Sequence, residues 1–366
     1  MSRVVYLHIG APKTGTTYLQ DRLRVNAKSL ARHGVHFPTT SALVSPGLAH
    51  FRAALDLQDQ DWGGPPGHAE GAWDALVRRI RRKSGTVIVS HEILAPADPD
   101  KVAKVMRDLA GSEVHVVYSA RDLGRQLPAA WQESLKQGRR WSYRKFLNRA
   151  AHGNPWFYRA FDLPAVLETW GASLPQERIH VVTVPRSGAA RADGGNTLWL
   201  RFCETFGIDP AWAPRDSDRA NRSLGVAEAQ VIRQLNRRMD PETRRQSDYD
   251  GLIRELLAQE QLVNRESVAV RLPPRRYAWA EAETERWISW LEASNVQIIG
   301  DVDELRPQRP SEDQQFVNPD KVPPKEQLGA ALDALVAMTS EAARRPDPQR
   351  LLLNRVRAQA QRVRQK

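Results

Sequence analysis

The sequence of 366 residues contains a single cysteine, Cys203. One thiol cannot form a disulfide within the chain, and it cannot supply a cysteine-based zinc site. Cys203 lies in an apolar, helix-like run at residues 199–203, so we expect it to be a packed core thiol. The small disulfide-rich proteins and the zinc-finger proteins are therefore excluded as classes.

Long apolar runs are also missing from the sequence. No stretch approaches the ~20 apolar residues that a membrane-spanning helix requires. The first residues lead directly into a strand-like pattern, without the apolar segment and the small-residue cleavage site of a signal peptide. The sequence shows no internal repeat and no cluster of metal-ligating residues. Because a signal-peptide pattern and a membrane-spanning run are both missing, we expect a cytoplasmic protein. Because no ligand cluster is visible, we expect no metal site.

Positive charge is distributed unevenly along the chain. Lysine and arginine total 54 and aspartate and glutamate 43, for a net charge of +11, which favours anionic partners. Residues 341–366 hold eight basic and two acidic residues, so +6 of that charge belongs to this segment. The remainder is only mildly basic, and we do not expect a nucleic-acid partner. Hydrophobic residues at 41% are typical of a globular protein.

Apolar β-rich runs alternate with helical patterns over the first 210 residues. Strands that are apolar on both faces and alternate with helices predict an α/β fold: a three-layer domain with a central parallel sheet, similar to P-loop kinases. Residues 42–67, which are rich in proline and glycine, are predicted to be a loop. After residue 207 the strand signal fades and helices are predicted. The predicted strands are residues 3–9, 34–37, 86–89, 114–118 and 179–184.

These patterns divide the chain into three parts. Residues 1–305 are predicted to form one α/β domain, with a nucleotide-binding core at 1–210 and a helical part at 211–305. Residues 306–327 are predicted to be a linker or arm, and residues 328–366 a basic helical tail. Arginines surround an apolar stripe near the end of this tail. The alternatives for it are a peripheral membrane contact, an oligomer contact, or a helix folded onto its own domain.

Residues 10–17 (GAPKTGTT) lie between the first strand and the first helix, where a phosphate-binding loop belongs. The backbone N–H groups of such a turn and the positive end of the helix dipole favour a bound anion. The spacing matches the nucleoside-triphosphate pattern, except that Thr16 stands where that pattern has lysine. Lys13 lies instead at the crown of the loop. A single lysine there suits sulfuryl transfer, in which the bridging oxygen of the leaving group needs stabilisation.

The loop residues Pro12, Lys13, Thr14, Gly15, Thr16 and Thr17 resemble the 5′-phosphosulfate loop of sulfotransferases that use 3′-phosphoadenylyl sulfate (PAPS), including bacterial members. The resemblance implies PAPS as co-substrate and no metal ion. It implies that Lys13 stabilises the leaving bisphosphate and that the threonines bind the 5′-phosphate. The chain would then transfer a sulfuryl group to a hydroxyl or amine of an unidentified acceptor, such as a glycan, a glycolipid or a small metabolite.

Arg121 stands just after a predicted strand, where an arginine binds the 3′-phosphate of PAPS in the resembled family. The family usually has a serine eight residues later, on the following helix. In this sequence that position is Ala129. The resemblance therefore implies a 3′-phosphate site with one hydrogen bond fewer.

Ser90, His91 and Glu92 follow the predicted strand 86–89 directly. Ligands of parallel α/β sheets bind at the carboxyl ends of the strands, so these side chains are candidates to face the acceptor. The attacking hydroxyl needs a base within ~3 Å. We predict Glu92 as this base, with His91 as the alternative; a third interpretation is that both only cap the next segment. The rival functions are a kinase of the same architecture and a non-catalytic nucleotide-binding relative.

Overall fold

A computed structural model of the chain describes residues 3–41, 43–152, 159–186, 196–217, 223–245, 249–311 and 314–345. Within these ranges one sheet of six strands has the order β2-β3-β1-β4-β5-β6, and every neighbouring pair is parallel. The predicted α/β fold with a central parallel sheet and a helical C-terminal region is confirmed. The strands are β1 Arg3–Gly10, β2 Val35–His36, β3 Gly85–Ser90, β4 Glu113–Ala120, β5 Ile179–Thr183 and β6 Gln297–Ile299.

Helices cover both faces of the sheet, which is why its strands read as continuous apolar runs. The described helices are α1 Thr16–Val25, α2 Ala27–Arg32, α3 Pro46–Leu57, α4 Ala72–Arg81, α5 Pro99–Asp108, α6 Leu123–Lys136, α7 Tyr143–Ala151, α8 Leu163–Gly171, α9 Thr197–Phe206, α10 Val226–Arg238, a π-helix Asp250–Gln261, α11 Tyr277–Ala293 and α12 Pro324–Arg344.

Alternate side chains of the strands enter two separate cores. Val5 and Leu7 of β1 pack in the larger core, which includes apolar residues of α3, α4, α5, α6 and α8. Ile88 and Val117 point to the opposite face, where Leu19 of α1 and Phe202 of α9 cover them. The two-residue period of a strand thus places alternate residues of β3 and β4 in the two cores, whereas Val35 of β2 and Ile299 of β6 belong to the smaller core. This packing holds the carboxyl ends of β1, β3 and β4 side by side.

The prediction of a loop at residues 42–67 was wrong, because α3 occupies residues 46–57. Ser45 caps this helix by accepting a hydrogen bond from the backbone N–H of Leu48, and Pro46 stands in the first turn, where its missing N–H costs nothing. Proline and glycine at the start of a helix resemble a loop in sequence. The apolar side of α3, including Ala53 and Leu55, is buried in the larger core.

The helical part predicted at residues 211–305 also contributes a strand to the sheet. Residues 297–299 form β6, which pairs with β5 through the partners His180–Gln297, Val181–Ile298 and Val182–Ile299. A strand of three residues is too short to show a two-residue period, so this strand was not predicted from the sequence. It attaches the C-terminal part of the chain to the edge of the sheet.

The predicted linker at residues 306–327 contacts the body of the protein. The Asp320 carboxylate accepts hydrogen bonds from the backbone N–H groups of Tyr143 and Arg144, at 2.8 and 2.9 Å. Helix α12 then buries Ala330 and Ala334. The basic segment 346–366 of the predicted tail lies outside the described residues. In the described part of the chain, no helix combines the length and the apolar character needed to cross a bilayer.

Candidate functional site

The loop between β1 and α1 turns sharply at two residues in the left-handed region of backbone conformation. Lys13 has φ 66° and Gly15 has φ 97°. Gly15 is favoured there, because residues with a Cβ rarely adopt a φ of 97°; an added Cβ would also make the Leu198 side chain shift. The Thr14 hydroxyl donates a hydrogen bond to the carbonyl of Ala11 and so closes the turn from within.

Helix α1 presents an uncapped N-terminus directly after this loop. No side chain accepts a hydrogen bond from its first N–H groups, and its first turn contains no acidic residue. The Thr16 hydroxyl is buried and has no hydrogen-bond partner among the described residues. Unpaired buried donors are costly, and the positive end of the helix dipole adds to them. The helix start therefore favours an anion.

Arg121, at the end of β4, holds the same loop from the other side. Its Nη1 donates a hydrogen bond to the carbonyl of Lys13 at 3.0 Å, whereas its buried Nε lacks a partner in the described part of the chain. Burial, together with Arg125, lowers the pKa of Arg121 to about 10, so the guanidinium stays charged at neutral pH. Gln126 adds a second brace by donating to the carbonyl of Pro12 at 2.9 Å.

Two cavities of similar size meet beside this loop. One cavity, of about 710 Å³, is lined by the loop from Lys13 to Thr17 and by Arg121, Ala129 and Lys136, among others; it is called the donor cavity after the site that the resemblance predicts. The other cavity, of about 730 Å³, includes Pro12, Gln20, Phe51, Trp62 and His91; it is called the acceptor cavity because His91 and Glu92 are predicted to face the acceptor. Each volume suits a small-molecule ligand. Side chains that line both cavities include Lys13, Thr17, Glu92, Glu133 and Arg254.

A carboxylate that the sequence analysis did not single out lies at this junction. Oε2 of Glu133, on α6, is 3.2 Å from Nζ of Lys13 and 3.9 Å from Nζ of Lys136, and Oε1 is 3.7 Å from Nη2 of Arg254. Burial disfavours its charge, but these three cations hold the pKa of Glu133 at about 2, so it is ionised. Burial lowers the pKa of Lys136 to about 8 despite Glu133. Three cations therefore surround this one anion, while Glu92, Glu255 and Glu260 line the same cavity as further acidic residues.

His91 and Glu92 follow β3, but their side chains differ in what they contact. Nδ1 of His91 accepts a hydrogen bond from the backbone N–H of Ile93 at 3.2 Å. Burial, more than the opposing charge of Glu92, lowers the pKa of His91, so the ring is neutral at pH 7. A neutral ring that accepts at Nδ1 carries its proton on Nε2 and can only donate there. The Glu92 carboxylate makes no hydrogen bond or ion pair with any described residue and lines both cavities.

The structure thus brings Lys13, Thr14, Gly15, Thr16, Thr17, Glu92 and Arg121 to one cavity, and Pro12 and His91 to the adjoining one. Glu133, Lys136 and Arg254 were not predicted from the sequence. Helical spacing from Ala129 would have found the first two, because positions 129, 133 and 136 share one face of α6. No local signal marks Arg254. The described ranges contain no group of three or more His, Cys, Asp or Glu residues placed to hold a metal ion.

No protein-family model matches the chain, and no curated protein matches it significantly. Among solved structures, the chain is similar to a sulfotransferase from Alicyclobacillus acidocaldarius. The two sequences are 14% identical, and the TM-score is 0.37. The likeness covers 69% of this chain and 96% of that one.

Proposed function

We propose that the chain is a sulfotransferase that moves a sulfuryl group from PAPS to a hydroxyl or amine of an acceptor. The observation that carries this proposal is a set of cationic and unpaired donors around one cavity. The Thr16 hydroxyl and Nε of Arg121 are buried without partners in the described chain, and both residues line the donor cavity with Lys13. An adenine nucleotide with two separate anionic groups would satisfy these donors.

The residues present fit such a nucleotide. The N-terminus of α1 and the hydroxyls of Thr16 and Thr17 would hold the 5′-phosphosulfate, and Arg121 would hold the 3′-phosphate. Ala129 lines the same cavity, so a serine at this position would also face the nucleotide. Bound PAPS would supply an activated sulfuryl group and a bisphosphate leaving group.

Lys13 and Glu92 lie where the donor and acceptor cavities meet. In this proposal the Lys13 ammonium stabilises negative charge on the oxygen that leaves. Glu92 accepts the proton of the acceptor, because His91 already uses Nδ1 as an acceptor and carries its proton on Nε2. Phe51 and Trp62, whose rings meet edge to face at 5.3 Å, form an apolar wall for the acceptor. We further propose that residues 211–305 belong to the catalytic domain, since Arg254 lines both cavities.

Adenosine 3′,5′-bisphosphate is expected to bind at least ~10-fold more tightly than ADP, which lacks the 3′-phosphate. A charge-assisted contact from Arg121 contributes ~1.5–3 kcal/mol, and ~1.4 kcal/mol corresponds to a factor of ten. Isothermal titration calorimetry with both nucleotides measures this preference directly. Arg121→Ala should remove most of it, and Ala129→Ser should increase it.

Arg125→Ala is the matched control for Arg121→Ala. Arg125 is the next arginine along the chain, but it pairs with Asp122 and does not line the donor cavity. We expect this variant to keep the preference for the bisphosphate. Equal affinities for ADP and the bisphosphate in the wild type would contradict the PAPS assignment.

Transfer from PAPS is expected to persist in EDTA. A P-loop kinase places a lysine beside the second loop glycine and holds magnesium through the next hydroxyl, whereas this chain has Thr16 at the lysine position. The measurement is product formation from PAPS with EDTA and with excess magnesium, using a panel of hydroxyl and amine acceptors. An absolute requirement for magnesium, together with transfer from ATP, would favour the kinase alternative.

A further inference from the structure

Arg254 reaches the candidate site from the C-terminal region, outside the first 210 residues. It lies on the π-helix Asp250–Gln261, which packs against α6 and α12 and buries Ile253 and Leu257 in the larger core. π-helical turns are rare and often occur at functional sites. The Arg254 side chain lines both the donor and the acceptor cavity. Arg121, in contrast, lines only the donor cavity.

The Arg254 guanidinium shares its anionic partner with Lys13. Glu133 contacts Lys13 through Oε2 and Arg254 through Oε1, at 3.2 and 3.7 Å. One ionised carboxylate thus holds the two cations side by side at the junction. Nε of Arg254 is buried and has no hydrogen-bond partner in the described ranges. The guanidinium therefore keeps unused donors where the two cavities meet.

We propose that Arg254 is a further catalytic residue, whose guanidinium binds the non-bridging oxygens of the sulfuryl group as it passes between the cavities. This inference rests on the proposed function. The planar fork of N–H donors matches an oxyanion group better than a point charge does. Lys13 would serve the leaving oxygen, and Arg254 would serve the group that moves.

The chemical step that Arg254 would assist is a single displacement at sulfur. The sulfur–oxygen bond to the bisphosphate breaks and its electron pair leaves with the bisphosphate, while a bond forms from sulfur to the acceptor oxygen or nitrogen. The acceptor proton goes to Glu92. Arg254 gives up no proton, and its role is to stabilise charge on the sulfuryl oxygens.

The affinities for two nucleotides distinguish binding of the sulfuryl group by Arg254 from binding of a nucleotide phosphate. Adenosine 3′,5′-bisphosphate has both phosphates of PAPS but no sulfuryl group. Arg254→Ala should weaken PAPS binding by about 10-fold, the scale of one charge-assisted contact, and leave bisphosphate binding within about 3-fold. Calorimetry with each nucleotide gives the ratio without relying on turnover. Turnover should fall by roughly 10²-fold in the same variant.

Arg24→Ala is the matched control for nucleotide binding, because Arg24 lines only the acceptor cavity and pairs with Asp21. It should leave both nucleotide affinities unchanged. Arg254→Lys keeps a positive charge beside Glu133 and replaces the alanine variant if that variant unfolds. The lysine variant should bind PAPS a few-fold more weakly, with its affinity for the bisphosphate unchanged. Melting temperatures of all variants report whether they fold.

The outcomes distinguish this inference from the proposed function. Equal loss of PAPS and bisphosphate affinity in Arg254→Ala would make Arg254 a nucleotide-phosphate ligand and overturn the inference alone. Unchanged affinity for both would also overturn it. A wild-type protein that binds neither nucleotide would overturn the proposed function, and the inference with it.

Discussion

Replacement of Lys13 by alanine is expected to lower kcat by roughly 10²–10³, the usual scale for the loss of one preorganised charge stabiliser. Lys13 stands at the crown of the loop and lines both cavities, and in the proposed reaction its ammonium stabilises the leaving oxygen. The fold should persist. Glu133, its ion-pair partner, would still have Lys136 and Arg254 beside it.

Steady-state kinetics with PAPS measures the effect of Lys13→Ala, and calorimetry with the bisphosphate measures its effect on binding. Lys101→Ala is the control, because Lys101 pairs with Asp59 on the surface and lines neither cavity. Turnover should fall far more than bisphosphate affinity does. Near-normal turnover in Lys13→Ala would remove Lys13 from the mechanism.

Glu92→Gln is expected to reduce transfer by roughly 10²–10⁴, the range for loss of a general base, with bisphosphate affinity kept within a few-fold. The glutamine keeps the shape of the side chain but cannot accept the acceptor proton. Glu92 is suited to this role because its carboxylate has no hydrogen bond or ion pair with the described residues. Kinetics with one fixed acceptor, and titration of the bisphosphate, give the two quantities.

His91→Asn is the matched control for Glu92→Gln. An asparagine oxygen can still accept the hydrogen bond from the backbone N–H of Ile93 that Nδ1 of His91 now accepts. The asparagine variant should therefore fold and retain most of the activity. Loss of transfer in His91→Asn, with activity retained in Glu92→Gln, would give the role of base to His91.

Local sequence patterns predicted the parts of the fold that local interactions decide. The run at residues 179–184 indicated β5 because all five of its residues are buried, and such a strand needs apolar side chains on both faces. Cys203, expected to be a packed core thiol in an apolar, helix-like run, is buried on α9. The loop at residues 10–17 was predicted from the sequence because its glycines and its position before a helical pattern are local features. In contrast, α3 and β6 were missed, since proline at a helix start and a strand of three residues give weak local signals.

The sequence by itself determined the fold class, the position of the glycine-bearing loop before α1, and the segments that bring Lys13, Glu92 and Arg121 to one cavity. Only the tertiary structure decided how these segments meet and what surrounds them. Lys13 and Glu133 are 120 residues apart in the chain, and Arg254 comes from a helix with no motif of its own. Their contact depends on how α6 and the π-helix pack onto the sheet. No local pattern of side chains records that packing, because it results from burial of apolar faces over the whole domain.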